Sequence, residues 1–270
     1  MKYSNIVIYC DYDGTLTSNG QYAKENLPAI DSFVKQGGRF AIASGKAMSD
    51  IDNMPTMSFN APMICLNGAA VHDFDKGYYI YQHVMGKEAA QIAKEIYVTL
   101  PEMGLNSHLI DDTVHSFHSN PILSLENAYW FHGLEPYDAI DKIVGKAIMI
   151  SAFGEYSDTD KVRELVASKY PTLTCTMSYP QFLNIMIKGT SKGNALVYLK
   201  KEYYKNNEII LAVGDSENDL EMLQIADVSF AVGNATDEIK KVSDIVLEDS
   251  HIACIPQILE YIDNHLLKGH

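Results

Sequence analysis

With 270 residues, 47% of them apolar and 21% charged, the chain has the make-up of a soluble globular protein. It is long enough for one large domain or two modest ones. The net charge of −14, from 21 basic and 35 acidic residues, argues against nucleic acid or an anionic membrane as a partner, and any anionic ligand must be drawn in by local cations and backbone N–H groups.

The chain opens directly on a strand-like run, without the charged, apolar and small-residue regions of a signal peptide. No stretch approaches the ~18 apolar residues of a membrane span. A cytoplasmic location is expected. Cys10, Cys65, Cys175 and Cys254 are scattered and form no CxxC pair, which fits buried thiols in a reducing compartment.

In chain order, Ile6-Val7-Ile8-Tyr9-Cys10 predicts a buried parallel strand, followed by Asp11-Tyr12-Asp13-Gly14-Thr15-Leu16. A helix is expected from about Tyr22 to Gln36, stopped by Gly37-Gly38. Arg39 to Ala43 is a second strand, ending in Ser44-Gly45-Lys46, with a short helix to about Asn53. Pro62 to Leu66 is a third strand, leading into Asn67-Gly68-Ala69. Residues Val71 to Tyr81 suggest a hairpin turning at Asp75-Lys76-Gly77.

From about Val84 the character changes. A helix (Lys87 to Leu100) precedes an alternating stretch, Asn106 to Phe117, and a loop-like segment around Asn120 to Glu135. Then come a strand (Lys146 to Ala152), a helix (Asp158 to Tyr170) and two strands, Leu173 to Ser178 and Phe182 to Ile187. Alternation of this kind predicts a mixed α+β unit with one solvated sheet face. Strand–helix alternation then resumes. A helix capped by Thr190 or Ser191 runs through Tyr204, and the apolar strand Ile209 to Val213 ends in Gly214-Asp215-Ser216-Glu217-Asn218-Asp219. A helix (Leu220 to Ala226), a strand (Val228 to Val232), a short helix (Glu238 to Val242), an edge strand (Ile245 to Leu247) and a closing helix (His251 to Leu267) complete the chain.

Polar sets therefore fall at strand ends or a helix start: Asp11/Asp13, Ser44-Gly45, Lys192-Gly193, and Asp215 with Asn218 and Asp219. Ligands bind at the carboxyl ends of strands in open α/β sheets. Paired acids there can hold a hard cation, and one can attack as a nucleophile. Each set alone has an ordinary explanation as a turn, a cap or a solvated lysine. Their order and topology together do not.

Taken together, these sets resemble the haloacid dehalogenase superfamily of phosphohydrolases, in its Cof-type sugar-phosphatase-like branch, over nearly the full length. Asp11 to Leu16 is similar to the family's DxDGTL motif, Ser44 to its Ser/Thr motif, Lys192-Gly193 to its Lys motif, and Gly214 to Asp219 to its GDxxND motif. Asn67-Gly68-Ala69 also fits the branch. The resemblance implies an α/β fold, with a Rossmann-like three-layer parallel-sheet core (residues 1–83 and 185–270) and an inserted α+β cap (84–184) that sets specificity.

It also implies roles. Asp11 is the nucleophile that forms an aspartyl-phosphate, and Asp13 the general acid/base. Mg²⁺ is held by the Asp11 carboxylate, the Asp13 backbone carbonyl and Asp215. Lys192, the Ser44 hydroxyl and the backbone N–H groups of Tyr12 and Gly45 bind the phosphoryl oxygens. Asn218 contacts phosphate or a metal-bound water, and Asp219 orients Lys192 or the metal waters.

One departure stands out: Lys46 occupies a position where the branch usually has Arg, replacing a bidentate fork by a point charge. Outside the motifs, His115 and His118 stand at i,i+3, which on a strand puts the two rings on opposite faces and makes a poor metal pair. Trp130 and the 17 tyrosines are explained by packing at least as well as by ligand stacking.

The expected activity is a Mg²⁺-dependent phosphatase of small phosphorylated metabolites, sugar phosphates foremost, in a monomer or small homo-oligomer. The alternatives are a phosphatase of nucleotide, flavin or pyridoxal phosphate, a phosphomutase, or a non-catalytic phosphometabolite-binding protein.

Overall fold

The structure is a computed structural model that describes residues 1–48, 58–118, 134–179, 181–204 and 207–267. In chain order it contains β1 (Ile6–Cys10), α1 (Asn26–Lys35), β2 (Arg39–Ile42), β3 (Met63–Cys65), β4 (Ala70–Asp73) and β5 (Tyr78–Gln82). There follow α2 (Glu88–Thr99), β6 (Gly104–Leu109), β7 (Val114–His118), β8 (Ala147–Phe153), α3 (Tyr156–Lys169), β9 (Leu173–Tyr179) and β10 (Phe182–Ile187). The chain ends with α4 (Lys192–Glu202), β11 (Ile209–Gly214), α5 (Leu220–Ile225), β12 (Val228–Ala231), α6 (Asp237–Val242), β13 (Ile245–Val246) and α7 (Cys254–Tyr261).

Two compact units emerge. One comprises Met1–Lys46, Asp50–Ile80 and Ser191–His270, the other Ala47–Ser49 and Tyr81–Thr190. The junction expected at residues 184/185 falls inside β10. That strand is hydrogen-bonded to β8 and β9 of the second unit, so the division at Thr190/Ser191 keeps the sheet whole.

The first unit is built on a parallel five-stranded sheet in the order β13-β12-β11-β1-β2. β1 lies between β11 and β2, with Ile6, Val7, Ile8, Tyr9 and Cys10 all fully buried. A strand covered on both faces must be apolar at every position, which is why IVIYC shows no alternation. The chain leaves β1 toward β2 on one side and returns to β11 on the other. The carboxyl ends of β1 and β11 therefore flank a topological switch point, where such sheets leave a crevice. β3 extends this edge through a parallel bridge between Ala43 and Ile64.

Buried Asn26 fastens the loop after β1: its amide donates to the Leu16 carbonyl, and its Oδ1 accepts from Ile255 N at the start of α7.

The second unit is an antiparallel sheet in the order β9-β10-β8-β6-β7. Leu105, Leu109, Phe117, Ile150, Leu183 and Ile185 share one face and pack in a common core with residues of α2 and α3, such as Ile92 and Val162. On the opposite face, Ser116, Asn106, Ser151, Asn184 and Thr176 stand directly opposite one another across all five strands. The sequence predicts a solvated face here, but Ser116, Asn106, Ser151 and Asn184 are all buried. Within the row, Ser151 Oγ donates to Asn184 Oδ1 at 2.8 Å and lies 3.4 Å from His108 Nε2.

Further differences are local. The helix expected from Tyr22 begins at Asn26, because Thr17–Ser18 pairs with Gln21–Tyr22 in a hairpin. Its turn residues Asn19 and Gly20 have φ 50° and 73°, the double left-handed geometry that an Asn-Gly pair favours. The alternating stretch at 106–117 resolves into two strands, β6 and β7. The closing helix is shorter than predicted, Cys254–Tyr261, and loosens into a π-type turn over Ile262–Leu266. The short helix expected to Asn53 falls mostly outside the described residues, as do most of the 120–135 segment, Trp130 and the side chain of His118. His115 packs against Phe117 and faces the Glu135 carboxylate.

Candidate active site

All nine residues singled out from the sequence lie in the first unit, on the segments that follow β1, β2 and β11 or on the first turn of α4. Asp11 follows β1 directly, and its N–H donates to the Val213 carbonyl of β11. It is only 5% exposed. Lys192 is the first residue of α4, whose N-cap Ser191 accepts from Asn194 N at 3.0 Å. A cation at that end of a helix opposes the helix dipole, and this one is also fully buried. Only charge compensation can hold it there.

Asp11 and Asp219 supply that compensation. The Lys192 ammonium donates to Asp11 Oδ1 at 2.5 Å and to Asp219 Oδ1 at 2.7 Å. Burial alone pulls the lysine downward, but the two carboxylates outweigh it and leave Lys192 above its ordinary range, firmly protonated. The other oxygen of Asp219 accepts from Asp215 N at 3.0 Å and Ser216 N at 3.2 Å. Both Asp219 oxygens are thus engaged, and the residue ties the loop after β11 to the lysine.

Asp215 faces the loop after β1. Its Oδ1 accepts from Thr15 Oγ1 at 2.9 Å. A Cβ on Gly14, which has φ +85°, would lie 2.6 Å from Asp215 Oδ2, so this close approach requires glycine. Oxygens of Asp11, Asp215 and Asp219 lie within 4.8 Å of one another. Three carboxylates against one ammonium leave the buried cluster formally at −2. The electrostatic consequence is clear: burial first, then the Asp219 charge, raise Asp11 well above the carboxylate range and push Asp215 up to about 6.

An all-oxygen set with surplus negative charge suits a hard divalent cation such as Mg²⁺. Since Asp219 is already committed, the oxygens left to such an ion are those of Asp11 and Asp215.

Asp13 does not join this cluster. Its carboxylate pairs with Lys46 Nζ at 2.8 Å and is 37% exposed. Ser44 is buried at the end of β2; its hydroxyl accepts from Lys46 N at 3.2 Å, and its N–H donates to the Ile64 carbonyl of β3. Gly45 lies between them, and Tyr12 between the two aspartates. Asn218 donates to Asn67 Oδ1 at 3.0 Å and accepts from Ser216 Oγ at 2.9 Å.

The motif alone did not reveal what Thr15, Asn67 and Asn234 do. Asn67 sits at φ 53° between Leu66 at φ 50° and Gly68 at φ 92°, and its N–H donates to the Ser44 carbonyl. This left-handed run brings an amide against Asn218 while tying down the Ser44 turn. Such strain persists only where its surroundings over-determine it. Asn234, in the turn after β12, donates to the Gly14 carbonyl at 2.8 Å and accepts from Ser250 N at 2.7 Å.

The model of the haloacid dehalogenase-like hydrolases matches residues 8–259 of the chain. The chain belongs to this family. It is a Cof-type member and a phosphoric monoester hydrolase. It is 28% identical over 271 residues to a 5-amino-6-(5-phospho-D-ribitylamino)uracil phosphatase of Bacillus subtilis, covering 90% of this chain and 93% of that one. It is 26% identical to a pyridoxal phosphate phosphatase of Escherichia coli, covering 97% and 98%. In fold it is similar to a subclass IIB sugar phosphatase of the superfamily, with TM-score 0.78, 17% identity and coverage of 94% and 98%. An α/β core carrying an inserted antiparallel-sheet domain is the fold of this group. Among the described residues, no helix is long and apolar enough to cross a membrane.

Proposed function

We propose that the chain is a Mg²⁺-dependent phosphatase of small phosphorylated metabolites, sugar phosphates foremost, acting through an aspartyl-phosphate on Asp11. The observation that carries this reading is the buried ammonium of Lys192 shared between Asp11 and Asp219, beside Asp215.

Asp11 attacks phosphorus; the new O–P bond forms as the ester P–O bond breaks, and Asp13 gives its proton to the departing oxygen. Asp13 then takes a proton from water, which attacks the phosphoryl group and returns Asp11. Lys192, the Ser44 hydroxyl and the N–H groups of Tyr12 and Gly45 hold the phosphoryl oxygens, over which charge spreads in the transition state. Asn218, fixed by Asn67, contacts the phosphate or a water beside it. Asp11, Asp215 and the Asp13 backbone carbonyl would hold Mg²⁺, which when bound supplies the positive charge that lets a carboxylate approach a phosphate dianion.

The second unit is the specificity domain in this reading. The phosphoribityl compound named for the Bacillus relative is itself a hydroxyl-rich alkyl phosphate, which supports the sugar-phosphate class. The pyridoxal phosphate named for the Escherichia coli relative is the specific rival. The four cysteines are all free thiols, which supports a cytoplasmic setting.

The test is release of inorganic phosphate from a panel of sugar, polyol, nucleotide, flavin and pyridoxal phosphates, with and without Mg²⁺. Mg²⁺-dependent turnover with the best kcat/KM on a sugar or polyol phosphate is the expected result. Preference for pyridoxal phosphate would replace the substrate class, and no turnover of any ester would end the reading.

A further inference from the structure

Lys46 is rooted on the same turn as Ser44: its N–H donates to Ser44 Oγ, and its carbonyl accepts from Leu66 N at 3.0 Å. From there the ammonium reaches Asp13 Oδ2 at 2.8 Å and lies 5.3 Å from the centroid of the Tyr12 ring. Tyr12 is a fixed surface, because its hydroxyl bonds to that of Tyr22 on the Thr17–Tyr22 hairpin and the two rings meet edge-on. The Lys46 side chain is 23% exposed, so the pair is partly withdrawn from water. The ring, the turn and the carboxylate together confine both partners.

A partly exposed ion pair contributes little to stability. What this one does is orientation. An unrestrained Asp side chain samples several rotamers, and proton transfer needs the carboxyl group within hydrogen-bond reach of the leaving oxygen.

We propose that Lys46 is a positioning residue that holds one oxygen of Asp13, so that the carboxyl group is presented to the oxygen of the leaving group. This rests on the acid role assigned to Asp13 above. In the step concerned, the Asp11–phosphorus bond forms, the ester P–O bond breaks, and the Asp13 proton passes to the departing alkoxide. The products are the alcohol, the aspartyl-phosphate and an Asp13 carboxylate beside the Lys46 ammonium. A point charge suffices for this task where a bidentate fork is not needed, which accounts for lysine at a position where the branch usually has arginine.

The test compares two esters by kcat/KM, which reports only events through phosphoryl transfer to Asp11. An alkyl phosphate from the active panel needs its leaving oxygen protonated, whereas 4-nitrophenyl phosphate releases a stable anion without a proton. For Lys46→Met the ratio of alkyl to aryl kcat/KM should fall about 30-fold, part of the roughly 100- to 10,000-fold that general acid catalysis supplies. Lys46→Arg should restore the ratio to within about threefold of the wild type. Equal losses on both esters would assign Lys46 to binding the phosphoryl group and overturn the proposal. An unaltered ratio with unaltered rates would overturn it too. Failure of the underlying phosphatase reading would show separately, in a wild type inactive on both esters.

Discussion

Asp219 shares the Lys192 ammonium with Asp11. One of its oxygens takes the ammonium at 2.7 Å, while the other takes two backbone N–H groups of the loop after β11. The lysine that would bind the phosphoryl group is thereby fixed to the loop that carries Asp215. Asp219→Asn keeps the shape and removes the charge. It should lower kcat/KM about 10- to 100-fold. Asp219→Ala should in addition cost about 3 to 5 kcal/mol of stability, because a buried cation loses one of its two partners. Steady-state kinetics and urea unfolding check both; an Asp219→Asn enzyme with wild-type kcat/KM would contradict this role.

The acid cluster makes stability depend on pH and on divalent cations in a linked way. Asp215 stands at about 6 in the folded chain, above its ordinary 3.8, through burial and the Asp219 charge. Between those values the folded chain binds a proton that the unfolded chain does not. The associated stability is fully present below the unfolded value and is lost as pH rises through about 6. Asp11 acts in the same direction. The metal-free protein should therefore lose stability between about pH 4 and pH 6 relative to a protein lacking the cluster. Mg²⁺ should raise the melting temperature more at about pH 7.5 than at about pH 5, where protons compete for the same oxygens. Thermal melts with EDTA or MgCl₂ at both pH values decide it. A cation effect equal at both would contradict this linkage.

Gly68 is a sharp packing test. It has φ +92°, and a Cβ there would lie 2.0 Å from the Ser191 carbonyl, next to Lys192. Gly68→Ala should cost about 3 kcal/mol or more and displace the start of α4. Gly77 has φ +72° with no atom within 4 Å of such a Cβ, so Gly77→Ala should cost only about 1 to 2 kcal/mol. Denaturant unfolding of the two variants measures the difference, and similar losses would contradict it.

The polar row of the second unit carries its own expectation. Asn184→Leu removes a hydrogen-bonding group that Ser151 donates to. The buried Ser151 hydroxyl then lacks that acceptor, which should cost about 1 to 3 kcal/mol of stability in urea unfolding. Wild-type stability in Asn184→Leu would contradict a structural role for this hydrogen bond.

How much of this was legible in the chain depends on distance along it. β1 and β11 were readable because a strand buried on both faces writes itself as an unbroken apolar run. The four polar sets could be placed at one edge of one sheet by topology alone. The individual contacts could not: Thr15 with Asp215, Asn67 with Asn218 and Lys46 with Asp13 join residues that only the finished fold brings together. Some misses were avoidable. Asn19-Gly20 is a strong hairpin signal, and Pro28 fits the first turn of a helix starting near Asn26, so the boundary at Tyr22 followed apolar spacing where turn chemistry ruled. The buried polar face of the second unit was not legible, since alternation shows that a face is polar without showing whether water reaches it.

The central claim is that Asp11 carries the phosphoryl group. The direct measurement is mass spectrometry of acid-quenched enzyme after incubation with Mg²⁺ and its best substrate. A phosphoryl increment on the peptide containing Asp11, absent in an Asp11→Asn variant that no longer turns over, is the predicted result. Substantial turnover by Asp11→Asn, or the increment on another residue, would contradict it.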